Sequence, residues 1–429
     1  MRGLLHRWFA HLREVSTRRQ QFFYAQSGVS GGAEGEEAAA VAAGHRGAEG
    51  QSVHLTESEE VVDVEKVSVY CTAYDCRRTL KDSVEAIRSS SYRLRELITV
   101  YDGGPGEVWP MAEALGIRVC REHNENKGLA ASCNTALRNC EGDFLAKVDS
   151  DVELAPFWLA RAMPHFLDDR IAGVGGRMVE GFANTLPMRW RARFMPQHWG
   201  NELSYDPPFL FGADCIFRVS ALKKVGGWDE KYRTNYEDVD LCQRLKTAGF
   251  LVVYEPKCLA RHRRHDSVGL VVENFWRWHK DAVDNAGGFA SMENAGKAIT
   301  WNVRTTAEHF KALMNEGAYD LVYPSLLLFF TRCIQDLAYL VKRGAVPSEV
   351  GSATAFHVLL EASRVAKRLP EEVGERLIED MPIVSKSDDW EPDTAYMDAF
   401  KAATADLEVG PATRWALETS VAALEDSEE

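Results

Sequence analysis

At 429 residues the chain exceeds one ordinary domain, and its 45% hydrophobic content with eleven Trp supplies ample core, which excludes a disordered or fibrous protein. The formal net charge of -14 sits almost wholly in residues 371–429, where 17 Asp and Glu face 4 Lys and Arg; the rest is nearly neutral, which argues against a nucleic-acid partner. Nine cysteines, at 71, 76, 120, 133, 140, 215, 242, 258 and 333, include no Cys-x-x-Cys pair and no zinc-ligand spacing, so a reducing cytoplasm is the expected setting.

Residues 1–25 place Leu5, Phe9 and Leu12 on one helical face beside Trp8, with Arg2, Arg7, Arg13, Arg18 and Arg19 around the remainder. Two readings stand: a helix lying on the inner membrane surface as a peripheral contact, or a helix docked on its own protein or a partner. Residues 27–60, rich in Gly, Ala and Glu, have a linker's composition, which makes 1–60 an N-terminal region. No signal peptide is expected. The longest apolar run, Leu326 to Phe330, is far below the roughly 20 residues that span a bilayer, so no membrane crossing is expected.

From Val61 short β-branched runs alternate with helical patterns. Strands are predicted at Val67 to Thr72, Leu97 to Tyr101, Ile117 to Glu122 and Phe144 to Val148. Helices are predicted at Leu80 to Ser89, Pro110 to Leu115 and Leu129 to Asn139. This alternation predicts an α/β domain over 61–285 with a mostly parallel central sheet and its chemistry just after the carboxyl ends of the strands. Helical patterns at Ala298 to Asn315, Ser325 to Lys342 behind Pro324, and Ala353 to Arg368 predict a C-terminal helical region, 286–429, ending in an acidic tail.

Asp149-Ser150-Asp151 directly follows the strand Phe144 to Val148, and two carboxylates on such a turn suit a hard divalent ion, Mn2+ or Mg2+, shared with a diphosphate and water. Alone, Asp-x-Asp is more often a solvated turn or a helix N-cap. Its flanks are more specific. Val67 to Asp75, Ile98-Thr99-Val100-Tyr101-Asp102-Gly103-Gly104, Asn126-Lys127-Gly128-Leu129-Ala130, Asn134 and Gly142-Asp143 precede it in order. Gly212-Ala213-Asp214, Val225-Gly226-Gly227-Trp228-Asp229-Glu230, Tyr236-Glu237-Asp238-Val239-Asp240-Leu241, Pro256 and His262 follow.

From Val61 to Trp278 this succession resembles the family 2 glycosyltransferases, inverting enzymes of the GT-A fold. The resemblance implies transfer of a sugar from a nucleotide-sugar donor, a UDP-sugar first among the candidates, to a hydroxyl on a carbohydrate, lipid-linked or protein acceptor. It also implies roles. Asp151 is the metal ligand, and Asp149 holds the ribose and the metal shell. Thr72, Tyr74 and Asp102 line the nucleotide pocket, Asp238 is the catalytic base, and His262 is a further metal ligand. Glu237 competes with Asp238 for the base, and His265 with His262 for the metal. Tyr101, Gly104 and Cys133 depart from the family pattern and leave the nucleotide base open.

Leu186 to Phe194, basic and aromatic, is either an acceptor-side loop or a helix packed by Trp190 and Phe194 with solvated arginines. Trp276 and Trp278 are either a sugar platform or core anchors. Two other classes compete with the enzyme reading. A nucleotidyltransferase would carry a Gly-rich basic phosphate loop after the first strand, which Cys71 to Arg78 is not. A silent binding module would have no need for so many clustered carboxylates.

Overall fold

The computed structural model describes residues 66–347 except positions 75, 105, 124, 183, 286, 288, 291–304, 307, 310, 311 and 314. The expected N-terminal helix and linker, the segment 353–368 and the acidic tail lie outside the described residues, as does part of 298–315. Two compact units emerge. The first takes residues 66–178, Gln197–Arg233 and Glu237–Arg261; the second takes Val179–Pro196, Thr234–Tyr236 and residues 262–347.

The first unit is built on a sheet of order β3-β2-β1-β4-β7-β6-β8-β5. Its strands are β1 (Val67–Cys71), β2 (Glu96–Val100), β3 (Arg118–Cys120), β4 (Phe144–Val148), β5 (Val152–Leu154), β6 (Ile171–Glu180), β7 (Asp214–Arg218) and β8 (Leu251–His262). β1 pairs in parallel with β2 and β4, and β2 with β3, while β7 runs antiparallel to both β4 and β6. The α/β class and its parallel strands are those expected from the alternation; the antiparallel β7 makes the sheet mixed.

Every residue of β1 and β4 is buried, as for strands covered on both faces. Because side chains alternate, Val67, Val69, Cys71, Ala146 and Val148 enter one core with Trp109 and Trp158, while Tyr70 and Leu145 enter the other with Leu222, Leu241 and Leu245. Helices α1 (Leu80–Arg88), α2 (Val108–Ala114) and α4 (Trp158–Ala162) contribute to the first core, and α3 (Leu129–Asn139), α6 (Val219–Lys224) and α7 (Glu237–Thr247) to the second. All nine cysteines are free thiols; eight are buried and Cys140 is half-buried.

The second unit is helical, built from α5 (Leu186–Phe194), α8 (Val268–Asn285) and α9 (Val322–Lys342) around a core of Met188, Trp190, Val271, Phe275, Leu327 and Leu328. Trp190 is fully buried and its indole N–H donates to Ser325 Oγ at 2.7 Å, so this basic segment is the packed helix of the two readings. Arg189 and Arg193 are exposed, as that reading has it, but Arg191 is not. Arg191 is buried against Glu180 at 2.8 Å and Asp266 at 3.5 Å and lies over the Trp278 ring, while Arg189 pairs with Asp320 and Arg193 with Glu316 at the surface. Trp276 donates to Asp336 Oδ1 at 2.9 Å, an anchoring role.

α9 starts at Val322 rather than behind Pro324, because a proline in the first turn gives up no helical hydrogen bond. The helix as a whole, 21 residues long, is apolar enough to cross a membrane by length and composition, which the short run Leu326 to Phe330 did not suggest. Most of that span is buried, with Arg332 and Asp336 within it.

Candidate active site

The parallel strands end together, and each delivers a polar residue to the same sheet edge. Thr72 follows β1 and its N–H donates to Val148 O at 3.0 Å; Asp102 follows β2; Asp149 follows β4. Since β7 runs against β4, its first residues return to this edge, and Asp149 N–H donates to Ala213 O at 2.9 Å. Thr72 Oγ1 donates to Asp149 Oδ1 at 3.2 Å and accepts from Ser150 N–H at 3.2 Å, which fixes the aspartate turn.

At the centre of this edge stands Lys147, which was not among the expected site residues. It is 2% exposed, its ammonium lies 3.1 Å from Asp149 Oδ1, and it donates to the Gly212 carbonyl. The Gly212 N–H in turn donates to Asp238 Oδ2 at 2.8 Å. A methyl group built on Gly212 would meet Glu237 Oε1 and Lys147 Nζ, each at 3.2 Å, and Asp238 Cβ at 3.3 Å. Gly212 is therefore the meeting point of the three charged side chains. Asp149 and Asp238, 89 positions apart, thus share one cluster within the first unit. A signal was present in the sequence: a lysine inside Phe144-Leu145-Ala146-Lys147-Val148, an otherwise apolar buried strand.

Burial sets the electrostatics. It pushes the Glu237 carboxyl up to about 8, and the neighbouring Asp238 adds to the rise. Burial likewise raises Asp238, against the Gly212 N–H and Lys147, which favour its charge. Burial alone would lower the Lys147 ammonium, but Asp149, Cys133 and Glu237 outweigh it and hold the group charged. Glu237, Asp238 and Asp240 open α7, where carboxylates meet the positive end of the helix dipole. Just before them Tyr236 takes φ of 71°, a left-handed conformation that costs a side-chain-bearing residue about 1–3 kcal/mol.

The other expected residues are placed as follows. Asp102 is 6% exposed and accepts from Lys127 N–H at 2.7 Å and Gly128 N–H at 2.9 Å, with His123 Nδ1 at 2.6 Å. Three of about four acceptor positions on that carboxylate serve its own chain. Gly128, at φ of 95°, is required here because a Cβ would lie 2.7 Å from Arg233 O. Tyr74 is half exposed, and its backbone carbonyl abuts Gly104. Asp151 is half-buried, and its carboxylate and that of Asp149 both add to the upward shift that burial gives the Cys71 thiol. His262 belongs to the second unit, where it is buried with Nδ1 3.2 Å from Glu180 Oε2. His265 stacks on Phe182 at 4.1 Å.

The aspartate turn suits a hard divalent ion in donor chemistry: Asp149 and Asp151 offer carboxylate oxygens, and Asp149 Oδ1 already engages a cation. Among the described residues no group of three or more His, Cys, Asp or Glu gathers as a complete cage. The protein's share of such a site is therefore small.

Residues 68–226 match the model of Glycosyl transferase family 2. A pre-mycofactocin glycosyltransferase of Mycobacterium tuberculosis is 37% identical over 196 residues, 41% of this chain and 41% of the relative, so the chain spans about two-fifths of that protein's length. A mannosyltransferase of Pyrobaculum calidifontis superposes with a TM-score of 0.39 at 13% identity, covering 84% of this chain and 86% of that one. EpsE of Bacillus subtilis, which carries a glycosyltransferase name, is 30% identical over 195 residues, 43% of this chain and 68% of its own length. With the family model matching from β1 beyond α6, the chain belongs to the family 2 glycosyltransferases.

Proposed function

We propose that the protein is a metal-dependent, inverting glycosyltransferase that moves a sugar from a nucleotide-diphosphate sugar to an acceptor hydroxyl. The observation that carries this reading is the link Asp149–Lys147–Gly212–Asp238, which joins the aspartate turn to the candidate base within one unit. Single-step inversion needs a base for the acceptor proton and charge neutralisation for the departing diphosphate.

Asp238 takes the acceptor proton. Glu237, raised to about 8, stays protonated at neutral pH, so the pair carries one negative charge instead of two. Thr72 holds Asp149 toward the strand edge, and Asp102 orders the turn 126–128 beside which the nucleotide lies. Tyr74, half exposed, is available to a base or ribose. Asp151 and Asp149 would hold Mn2+ or Mg2+; when bound, the ion supplies positive charge to the leaving diphosphate.

The donor is a UDP-sugar in this reading. The acceptor is a carbohydrate, a protein or a lipid-linked sugar; a similar Escherichia coli enzyme is named for a diphosphoundecaprenol-linked acceptor. We place the protein in the cytoplasm, where nine free thiols are stable, with residues 1–25 as its contact with the inner membrane face. A panel of nucleotide sugars with Mn2+ tests the activity. Donor hydrolysis that disappears in Asp151→Ala and Asp238→Ala is the expected result, and hydrolysis unchanged in both rejects the reading.

A further inference from the structure

Lys147 is the one cation in the described cluster of Asp149, Glu237 and Asp238, and nothing about the glycosyl transfer reaction itself calls for an ammonium at this place. Its burial, 2% exposed, removes it from contact with bulk water, and desolvating an ammonium is costly unless fixed partners repay it. Those partners are Asp149 Oδ1 and the Gly212 carbonyl. Each leads to a different half of the site. Asp149 also accepts from Thr72 and belongs to the aspartate turn; Gly212 turns its N–H on Asp238.

Resting on the glycosyltransferase reading, we infer that Lys147 is a positioning residue with two duties. It orients Gly212 so that its N–H holds the carboxylate of the base. It also occupies Asp149, so that a divalent ion must share that carboxylate with an ammonium already in place. The site is thereby kept assembled before any metal or donor arrives. The same arrangement weakens metal binding by the protein alone and leaves tight binding to the complex with the donor diphosphate.

The mechanism has a physical basis on both sides. An ammonium 3.1 Å from a carboxylate oxygen lowers the attraction that oxygen offers to a second cation. Losing a group that merely supports a metal ligand typically costs about 10- to 100-fold in metal affinity, so a gain in affinity marks the loss of a competing charge instead. At the other end, Gly212 has no side chain because a Cβ would crowd Lys147, Glu237 and Asp238 together, so the peptide alone transmits the lysine's position to the base.

The test is Mn2+ binding to the full chain without donor, followed by the electron paramagnetic resonance signal of free Mn2+, in wild type, Lys147→Met, Asp149→Asn and the double variant. The expected result is Mn2+ binding about tenfold tighter in Lys147→Met, the gain from removing a like charge beside the shared carboxylate. In the Asp149→Asn background the lysine substitution changes Mn2+ affinity less than twofold. Donor turnover by Lys147→Met falls at least tenfold, and the acid limb of its kcat/KM profile moves to higher pH, because Asp238 has lost a nearby cation.

Unchanged or weaker Mn2+ binding by folded Lys147→Met overturns the inference, as does an equal effect in the Asp149→Asn background. If Lys147→Met does not fold, Lys147→Gln, which keeps a donor for the Gly212 carbonyl but removes the charge, carries the same expectations for Mn2+ binding in both backgrounds. The Asp151→Ala control separates the two levels. Intact Mn2+ binding and hydrolysis there reject the glycosyltransferase reading, whereas their loss with unaltered Lys147 variants rejects only the role of the lysine.

Discussion

In the first unit the buried ammonium of Lys147 is outnumbered by Asp149, Glu237 and Asp238, whereas in the second the buried guanidinium of Arg191 lies between Glu180 and Asp266 and over an indole. Both lysine and arginine are almost fully removed from water. The first group keeps an excess of negative charge and raises its carboxyl groups, a composition that takes up a proton or a metal ion. The second lowers Glu180 through His262 and Arg191 against the effect of burial. Nearby, His279 and His309 are pressed down to about 4 by burial and by Arg332, and so stay neutral. Buried charge of similar depth thus serves chemistry in one place and architecture in the other: three carboxyl groups share Lys147, whereas Glu180 and Asp266 share Arg191 with Arg264, which pairs with Asp266 at 2.8 Å.

The largest effect expected from this contrast is on turnover. Asp238→Asn should lower donor turnover about 1,000-fold with little change in melting temperature, and a loss under tenfold would remove Asp238 from the chemistry. Arg191→Met should act the other way, on stability. Removing the guanidinium that Glu180 and Asp266 share, with Asp266 keeping Arg264 at 2.8 Å and Glu180 keeping His262 at 3.2 Å, costs about 3 kcal/mol in urea unfolding, and Glu180→Gln added to it should recover part of that loss. A loss below 1 kcal/mol would mean that this network behaves like a surface pair. Below both sits Gly128→Ala, expected to cost about 1–3 kcal/mol from its positive φ and its contact with the Arg233 carbonyl.

The smallest effect is a pair of opposite pH slopes. Glu237 has a raised folded pKa, so its contribution to stability is complete below about 4.5 and is lost as pH rises through about 8. His279 has a lowered one, so its contribution is complete above about 6.5 and is lost as pH falls toward about 4. Each slope is at most about 1.4 kcal/mol per pH unit. Melting curves of Glu237→Gln should flatten on the alkaline side only, and those of His279→Phe on the acid side only. Flattening on the same side by both would dissolve the contrast.

The sequence carried the sheet edge well. β4 and α3 have the limits that their patterns predict, Phe144–Val148 and Leu129–Asn139, because apolar residues and local spacing decide them. The polar residues after β1, β2 and β4, namely Thr72, Asp102 and Asp149, were legible for the same reason: position after a strand is a local property. What stayed hidden depends on pairing across long separations. Arg191 looked like one of several solvated arginines until Asp266, far along the chain, came beside it. Lys147 needed Gly212, 65 positions on, and Asp102 needed a histidine 21 positions on, for their charges to acquire partners. A charged residue's role is set by what surrounds it, and periodicity reports only whether it is surrounded.

The burial of eight thiols beside one half-buried neighbour gives the chain a built-in clock. A thiol-reactive dye added to the native protein should colour Cys140 first. The remaining sulfurs, spread from β1 to α9, become available only as the interior opens. The pace at which colour grows beyond the first equivalent therefore records breathing of the native protein, with no residue replaced.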